Sequence, residues 1–235
     1  MNILITRPLI DAEDLMGKFF SMGHKIIQIP TLKISSANAE PVNPDEYNAF
    51  IFTSANAIRN LKLLSKDKDK ICFCVGAITE KIVRQSGYIN TFSAGGTVYA
   101  LKNLIINSEK IHSKSSIAYF CGDNTSYDLD QELKKEGLKV KKIINYLSEK
   151  IIYLNEESKK LIVNYPPDTI LVYSSRSAES FIKIVKNYSL YPLMTGSTVM
   201  CISKKVADIF KSDGWKKIKI FSPGDELLQL KEVNQ

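Results

Sequence analysis

The chain has 235 residues and a mass of 26.5 kDa, with 44% hydrophobic and 24% charged residues. That composition excludes a disordered, collagen-like or coiled-coil chain, and no apolar run approaches the roughly 18 residues a bilayer span needs. The net charge of +7 comes from 32 basic against 25 acidic residues, yet only Arg7, Arg59, Arg84 and Arg176 are arginines, so the excess is lysine rather than the bidentate residue of nucleic-acid readers.

The opening MNILITRPLIDAED reaches Arg7, Asp11, Glu13 and Asp14 too early for a signal-peptide core, which predicts a cytoplasmic protein. Residues 3–5 predict a first strand. Residues 11–22 carry Leu15, Phe19 and Met22 at helical spacing and stop at Gly23; residues 25–29 predict the next strand. The rhythm continues through strands at 49–52, 71–75, 117–121, 140–144, 169–173, 199–202 and 217–221, with helical patterns between most of them. Buried strands followed by amphipathic helices mean an α/β protein with parallel sheet. Cys72, Cys74, Cys121 and Cys201 lie inside the apolar runs, as small buried hydrophobes do in a reducing compartment. The C-x-C at 72/74 has no histidine or second cysteine pair near it, so no metal is expected. The lysine clusters 66/68/70, 139/141/142 and 216/217/219 alternate with Asp or apolar residues, the pattern of solvated faces or of steering toward an anionic ligand.

An internal repeat organises these elements. The segment from Ile3 lies over that from Ile117 at an offset of 114, matching Leu15 to Leu129 and Gly23 to Gly137. The segment from Phe50 lies over that from Leu171 at an offset of 121, matching Ser54 to Ser175 and Ala57 to Ala178. Gly87 matches Gly214 at an offset of 127. The chain reads A-B-A′-B′, two half-sized α/β domains each made of one A and one B; whether A pairs with B or B′ is open at this level. Residues 31–44 and 146–155, polar and extended, follow A and A′, and linkers there let two domains move about a cleft.

The familiar catalytic motifs are absent: there is no G-x-S-x-G, P-loop, H-E-x-x-H or G-x-G-x-x-G, and His24 and His112 have no nucleophile at useful spacing. Small polar residues instead follow the strands: Thr6-Arg7-Pro8, Thr53 to Asn56, Gly76 with Thr79, Gly122 to Thr125, Ser174 to Ser177, Ser203-Lys204 and Ser222 to Gly224. Such residues cap helices. The same positions, at the carboxyl ends of parallel strands, also face the ligand crevice, where free helix N–H groups bind carboxylate or phosphate.

The stretches ILITRP at 3–8, FTSANA at 52–57, VGAITEKIVRQSG at 75–87, YSSRSA at 173–178 and SPGDELLQL at 222–230 resemble the uroporphyrinogen-III synthase family, in order and spacing over essentially the whole chain. The resemblance implies two similar flavodoxin-like parallel-sheet domains in a domain-swapped repeat, A with B′ and B with A′. One domain would combine residues 1–30 with 156–235, the other would span 47–143, and 31–46 with 144–155 would form a two-stranded β linker. It also implies a monomeric, cofactor-free lyase that acts on hydroxymethylbilane. The terminal hydroxyl leaves as water, ring D inverts through a spiro intermediate, and the macrocycle closes to uroporphyrinogen III. A transient contact with porphobilinogen deaminase belongs to the same picture, with no nucleic acid and no membrane. Position by position, Tyr146 is the residue implied to assist hydroxyl departure, since a phenol donates a hydrogen bond. Arg7, Ser54, Asn56, Gly76, Thr79, Gly122, Ser175 and Ser177 are implied to bind substrate. The second V-G-x-x-T turn reads Ile202-Ser203-Lys204-Lys205-Val206, so Lys204 is expected to replace its contacts, and the arginine usual in the third rim is missing from residues 121–125. The alternative on the same residues is a non-catalytic two-domain protein that binds an anionic ligand.

Overall fold

Runs such as AFIF and TILV put apolar side chains on both sides of the backbone, so their strands need cover on both faces, and two parallel sheets provide it. The computed structural model describes residues 1–65 and 67–233. In chain order its strands are β1 (Asn2–Ile5), β2 (Lys25–Gln28), β3 (Leu32–Ser36), β4 (Ala49–Phe52), β5 (Ile71–Cys74) and β6 (Thr91–Ser93). They continue with β7 (Ser116–Gly122), β8 (Lys139–Lys150), β9 (Thr169–Val172), β10 (Thr198–Cys201) and β11 (Ile218–Ile220). The helices are α1 (Leu9–Ser21), α2 (Ala55–Arg59), α3 (Ala77–Gln85), α4 (Val98–Ile106) and α5 (Leu129–Lys135). After them come α6 (Glu156–Asn164), α7 (Ser175–Asn187), α8 (Tyr191–Met194), α9 (Lys204–Ser212) and α10 (Glu226–Val233).

The chain divides into two units. Unit one holds Met1–Lys33 and the chain from Glu149 onward; unit two is Ile34–Ser148. In unit one the sheet order is β11-β10-β9-β1-β2, and every neighbouring pair is parallel. Counted along the chain this is the flavodoxin-like order 2-1-3-4-5. Alternate residues face opposite cores: Leu4, Ile170, Val172 and Val199 enter one cluster, and Ile3, Ile5, Leu171 and Met200 the other.

Unit two has the order β3-β8-β7-β4-β5-β6, parallel through β8-β7-β4-β5-β6. Its two cores divide the same way, with Ile51, Phe73, Ile117 and Tyr119 on one face and Phe50, Phe52, Ala118 and Phe120 on the other. The edge strand β3 runs against β8: Ala37 N–H donates to the Asn145 carbonyl and Ile151 N–H to the Thr31 carbonyl, the spacing of an antiparallel ladder. The chain crosses between units within β3 and β8, at Lys33/Ile34 and Ser148/Glu149. Both crossings fall within the segments 31–46 and 144–155 expected as linkers. Strand β8 does not end at 144 but runs 12 residues in all, its polar second half paired with β3.

The repeats reappear as elements. Strand β5 and helix α3 lie 127 residues before β10 and α9, and the paired turn glycines share left-handed backbone, Gly87 at φ 96° with Gly214 at 89° and Gly23 at 79° with Gly137 at 84°. The expected offset of 121 is corrected by one residue. Strands β4 and β9 start at Ala49 and Thr169, an offset of 120, and the two helix caps are Ser54 and Ser174. The doubled serine at 174–175 hid the slip. Capping selects Ser174, whose extended backbone lets its hydroxyl accept from the Ser177 N–H, and leaves Ser175 as the first helical residue.

Candidate functional site

In an open parallel sheet the ligand crevice lies where the strand order reverses, beyond the carboxyl ends of the two strands concerned. In unit one those strands are β1 and β9, followed by Thr6-Arg7 and Tyr173-Ser174; in unit two they are β4 and β7, followed by Thr53-Ser54 and by Asp123. The expected residues fall largely at these two places.

In unit two the switch point is occupied by Tyr146. Register along β7 and β8 pairs Cys121 with Ile144 and then Gly122 with Tyr146, so the ladder skips Asn145. Asn145 is buried and donates through Nδ2 to the Ala57 carbonyl at 2.6 Å. An irregularity of this kind re-aims the next side chain, and here it lays the Tyr146 ring over Gly122. A Cβ on Gly122 would stand 2.7 Å from two ring carbons and 3.0 Å from the hydroxyl. Gly122 is buried beneath the ring and seats the tyrosine. The Ser54 hydroxyl accepts from the Asn56 N–H as the cap of α2. Ser54 and the Gly122 backbone are the hydrogen-bonding neighbours of the Tyr146 hydroxyl. Burial holds the phenol above its usual range while these two bonds pull it back. The result is a phenol kept neutral by burial and placed beside polar neighbours at the end of β7.

The other unit-two residues surround this group. Gly76 precedes α3 without a side-chain cap, and a Cβ there would stand 3.1 Å from the Gly96 Cα, so the loops after β5 and β6 touch backbone to backbone. Thr97 caps α4 through the Ala100 N–H. Thr79 is buried within the first turn of α3, and Asn56 Oδ1 accepts from Arg59 at 3.1 Å. A cavity of about 300 Å³ in this unit, lined by residues including Glu40, Tyr47 and Lys141, borders none of the expected site residues.

In unit one Arg7 follows β1, its carbonyl fixed by Gln28 Nε2 at 2.9 Å. Its guanidinium carbon lies 4.0 Å from the centre of the Tyr173 ring. Tyr173 and its neighbour Glu226 are the residues that sequence reasoning missed. Ser177 is buried and its hydroxyl is bonded to Ser174 at 2.9 Å, a capping arrangement rather than an open contact; Ser175 is half-buried and Lys204 exposed.

Acidic residues stabilise a helix N-terminus by about 0.3–1 kcal/mol and are usual there. Helices α1, α3, α5, α6 and α10 follow the rule with Asp11, Glu80, Asp130, Glu132, Glu156, Glu157 and Glu226, whereas α2, α4, α7 and α9 have no acid in the first turn. Helix α9 even begins with exposed Lys204 and Lys205. The lysine runs elsewhere are largely occupied: Lys70 pairs with Asp67, Lys68 covers the Tyr88 ring, and Lys142 donates to Thr125, while Lys66 lies outside the described residues. Among the described residues no group of three His, Cys, Asp or Glu is placed to hold a metal, and no helix is long and apolar enough to cross a membrane.

Known proteins fit this architecture. The solved uroporphyrinogen-III synthetase of Helicobacter pylori 26695 is similar at a TM-score of 0.64 and 17% identity, covering 100% of this chain and 99% of that one. A mutant uroporphyrinogen III synthase of the extremely thermophilic bacterium Thermus thermophilus is similar at a TM-score of 0.57 and 14% identity, again over 100% of this chain and 99% of its own. At these identities the likeness speaks for the fold. No curated protein sequence matches the chain. The family model described as uroporphyrinogen-III synthase HemD matches residues 13–222, nearly the whole length, and the chain belongs to the uroporphyrinogen-III synthase family.

Proposed function

We propose that this chain carries out its family's reaction as a cofactor-free hydro-lyase, closing hydroxymethylbilane to uroporphyrinogen III with ring D inverted. The single observation that carries the chemistry is the Tyr146 phenol, seated on Gly122 beside Ser54. It donates its hydrogen bond to the terminal hydroxyl of the bilane. That hydroxyl leaves as water as the pyrrole nitrogen pushes electrons toward the departing bond, so a weak acid suffices. In unit one the N-termini of α7 and α9, which carry no acid in the first turn, take substrate carboxylates through backbone N–H groups, supplemented by Arg7 and Lys204. Holding the bilane in a folded shape favours the spiro route over end-to-end closure.

The protein acts as a cytoplasmic monomer that meets porphobilinogen deaminase only transiently. The test is an assay in which a deaminase makes hydroxymethylbilane from porphobilinogen, this protein is added, and the oxidised uroporphyrins are resolved. A dominant type III isomer is expected; type I alone, from folded protein, refutes the proposal.

A further inference from the structure

The unit-one switch point holds a group that the sequence did not announce. The Tyr173 ring carries the Arg7 guanidinium on one face at 4.0 Å and meets the edge of Phe221 at 5.3 Å. Its hydroxyl is buried and has Glu226 as its polar neighbour. Glu226 is itself 6% exposed and is held by the Gly224 N–H at 2.9 Å. Among the described residues no carboxylate pairs with Arg7 and no acceptor takes its N–H groups, although a buried acid stands at the far end of the ring. A cation on an aromatic face leaves its edge free, and that edge is the fork that grips a carboxylate bidentately. A negative charge at the hydroxyl end of the ring strengthens the hold on the cation.

We propose that Tyr173 and Glu226 are positioning residues: they keep Arg7 flat at the end of β1 with its N–H edge presented to one carboxylate side chain of the tetrapyrrole. The inference rests on the reaction proposed above and adds to it a carboxylate clamp assembled in part from the C-terminal segment. Steady-state kinetics on prepared hydroxymethylbilane test it. Arg7→Ala should raise KM about tenfold with kcat within twofold, the mark of lost uniform binding. Tyr173→Leu should do nearly the same, and Tyr173→Phe, which keeps the ring, should restore KM to within twofold. Because the tyrosine acts through the arginine, Arg7→Ala with Tyr173→Leu should be no worse than Arg7→Ala alone. Multiplying effects in that double variant overturn the proposal.

Should Tyr173→Leu fail to fold, Arg7→Lys and Glu226→Gln decide. The lysine keeps the charge but lacks the stacked fork, so its KM should rise at least fivefold, and that of Glu226→Gln about threefold. Unchanged KM in both overturns the clamp. A wild-type protein that yields only the type I isomer refutes the reaction instead, so the two failures are told apart.

Discussion

Replacing Gly122 by alanine tests the Tyr146 assignment without touching the tyrosine. Gly122 lies in β7 with ordinary backbone rather than in the left-handed region, so alanine adds no backbone strain. What it adds is a methyl group 2.7 Å from two ring carbons of Tyr146, where ordinary contact begins at 3.4 Å. The ring must withdraw by about 0.7 Å, and overpacking of this kind costs about 1–3 kcal/mol. The low end is expected because the obstructed atoms are the far end of a side chain that is partly open to solvent. Withdrawal breaks the bonds from Ser54 and Gly122 that orient the phenol. Losing one well-placed hydrogen bond to the departing hydroxyl is worth about 1 kcal/mol, which slows turnover about fivefold.

The assay reads type III formation per enzyme alongside the thermal midpoint by circular dichroism. Tyr146→Phe should slow turnover by a similar factor with the midpoint unchanged. In a Tyr146→Leu background the ring is gone, so Gly122→Ala should cost neither turnover nor stability. Full turnover in Gly122→Ala refutes the seating argument. An equal loss in the leucine background refutes it as well, because the methyl group would then act elsewhere.

Ser54→Ala and Ser174→Ala each remove a helix cap and should each cost about 1 kcal/mol in urea unfolding, but only Ser54→Ala should also slow turnover, because only Ser54 reaches Tyr146. Gly76→Asp should raise KM through repulsion of the substrate carboxylates, and it should also destabilise, because the new Cβ meets the Gly96 Cα at 3.1 Å; measuring both separates the two effects. All four thiols are free and buried, with Cys121 pushed up to about 11 and Cys74 and Cys201 to about 12. Iodoacetamide at neutral pH should therefore label none of them in the native protein and all four in urea, read by mass spectrometry. The same burial sets an alkaline limit. These thiols and Tyr88, at about 12, keep their protons in the fold beyond the pH at which the unfolded chain releases them, near 9 for the thiols and 10 for the phenol. The unfolded state then binds fewer protons, so the melting midpoint should be steady up to pH 9 and fall above it; a midpoint that climbs between pH 9 and 11 contradicts the assignment.

Strand positions were readable because a strand covered on both faces must be apolar on both, and that pattern survives without knowledge of its neighbours. The fine register was not. Helix α5 was expected to copy α1, yet it begins at Leu129, the counterpart of the middle of α1, and residues 123–128 form a loop in which Asp123 accepts from the Ser148 N–H at 3.0 Å. Nothing local forecasts that bond, since it joins a strand end to the far half of β8. The slip from Ser175 to Ser174 has a similar cause: two adjacent serines are equal as letters and become different only through backbone angle and the N–H each can reach. Tyr173 was visible as a strand-end residue and Glu226 as part of SPGDELLQL, but their partnership with Arg7 arises from strand ends brought side by side by β1 and β9 pairing in parallel.

The two switch points show why the repeated sequence need not repeat its chemistry. Both lie beyond paired strand ends of one topology, β1 with β9 and β7 with β4, so the fold presents the same place twice. In unit two the reversal is filled from the neighbouring strand: β8, the counterpart of β2, runs on past the end of β7, and its irregularity at Asn145 carries Tyr146 over Gly122. In unit one β2 stops at Gln28, whose side chain turns instead to the Arg7 carbonyl, so no phenol arrives from that side. The space is taken from the other direction by Tyr173, at the position that Thr53 holds in unit two, and by Arg7, where unit two has Cys121. The two switch points therefore offer different groups, a phenol seated on a glycine in unit two and a guanidinium laid on a phenol ring in unit one. The continuation of β8 beyond β7, against the stop of β2 at Gln28, makes that difference.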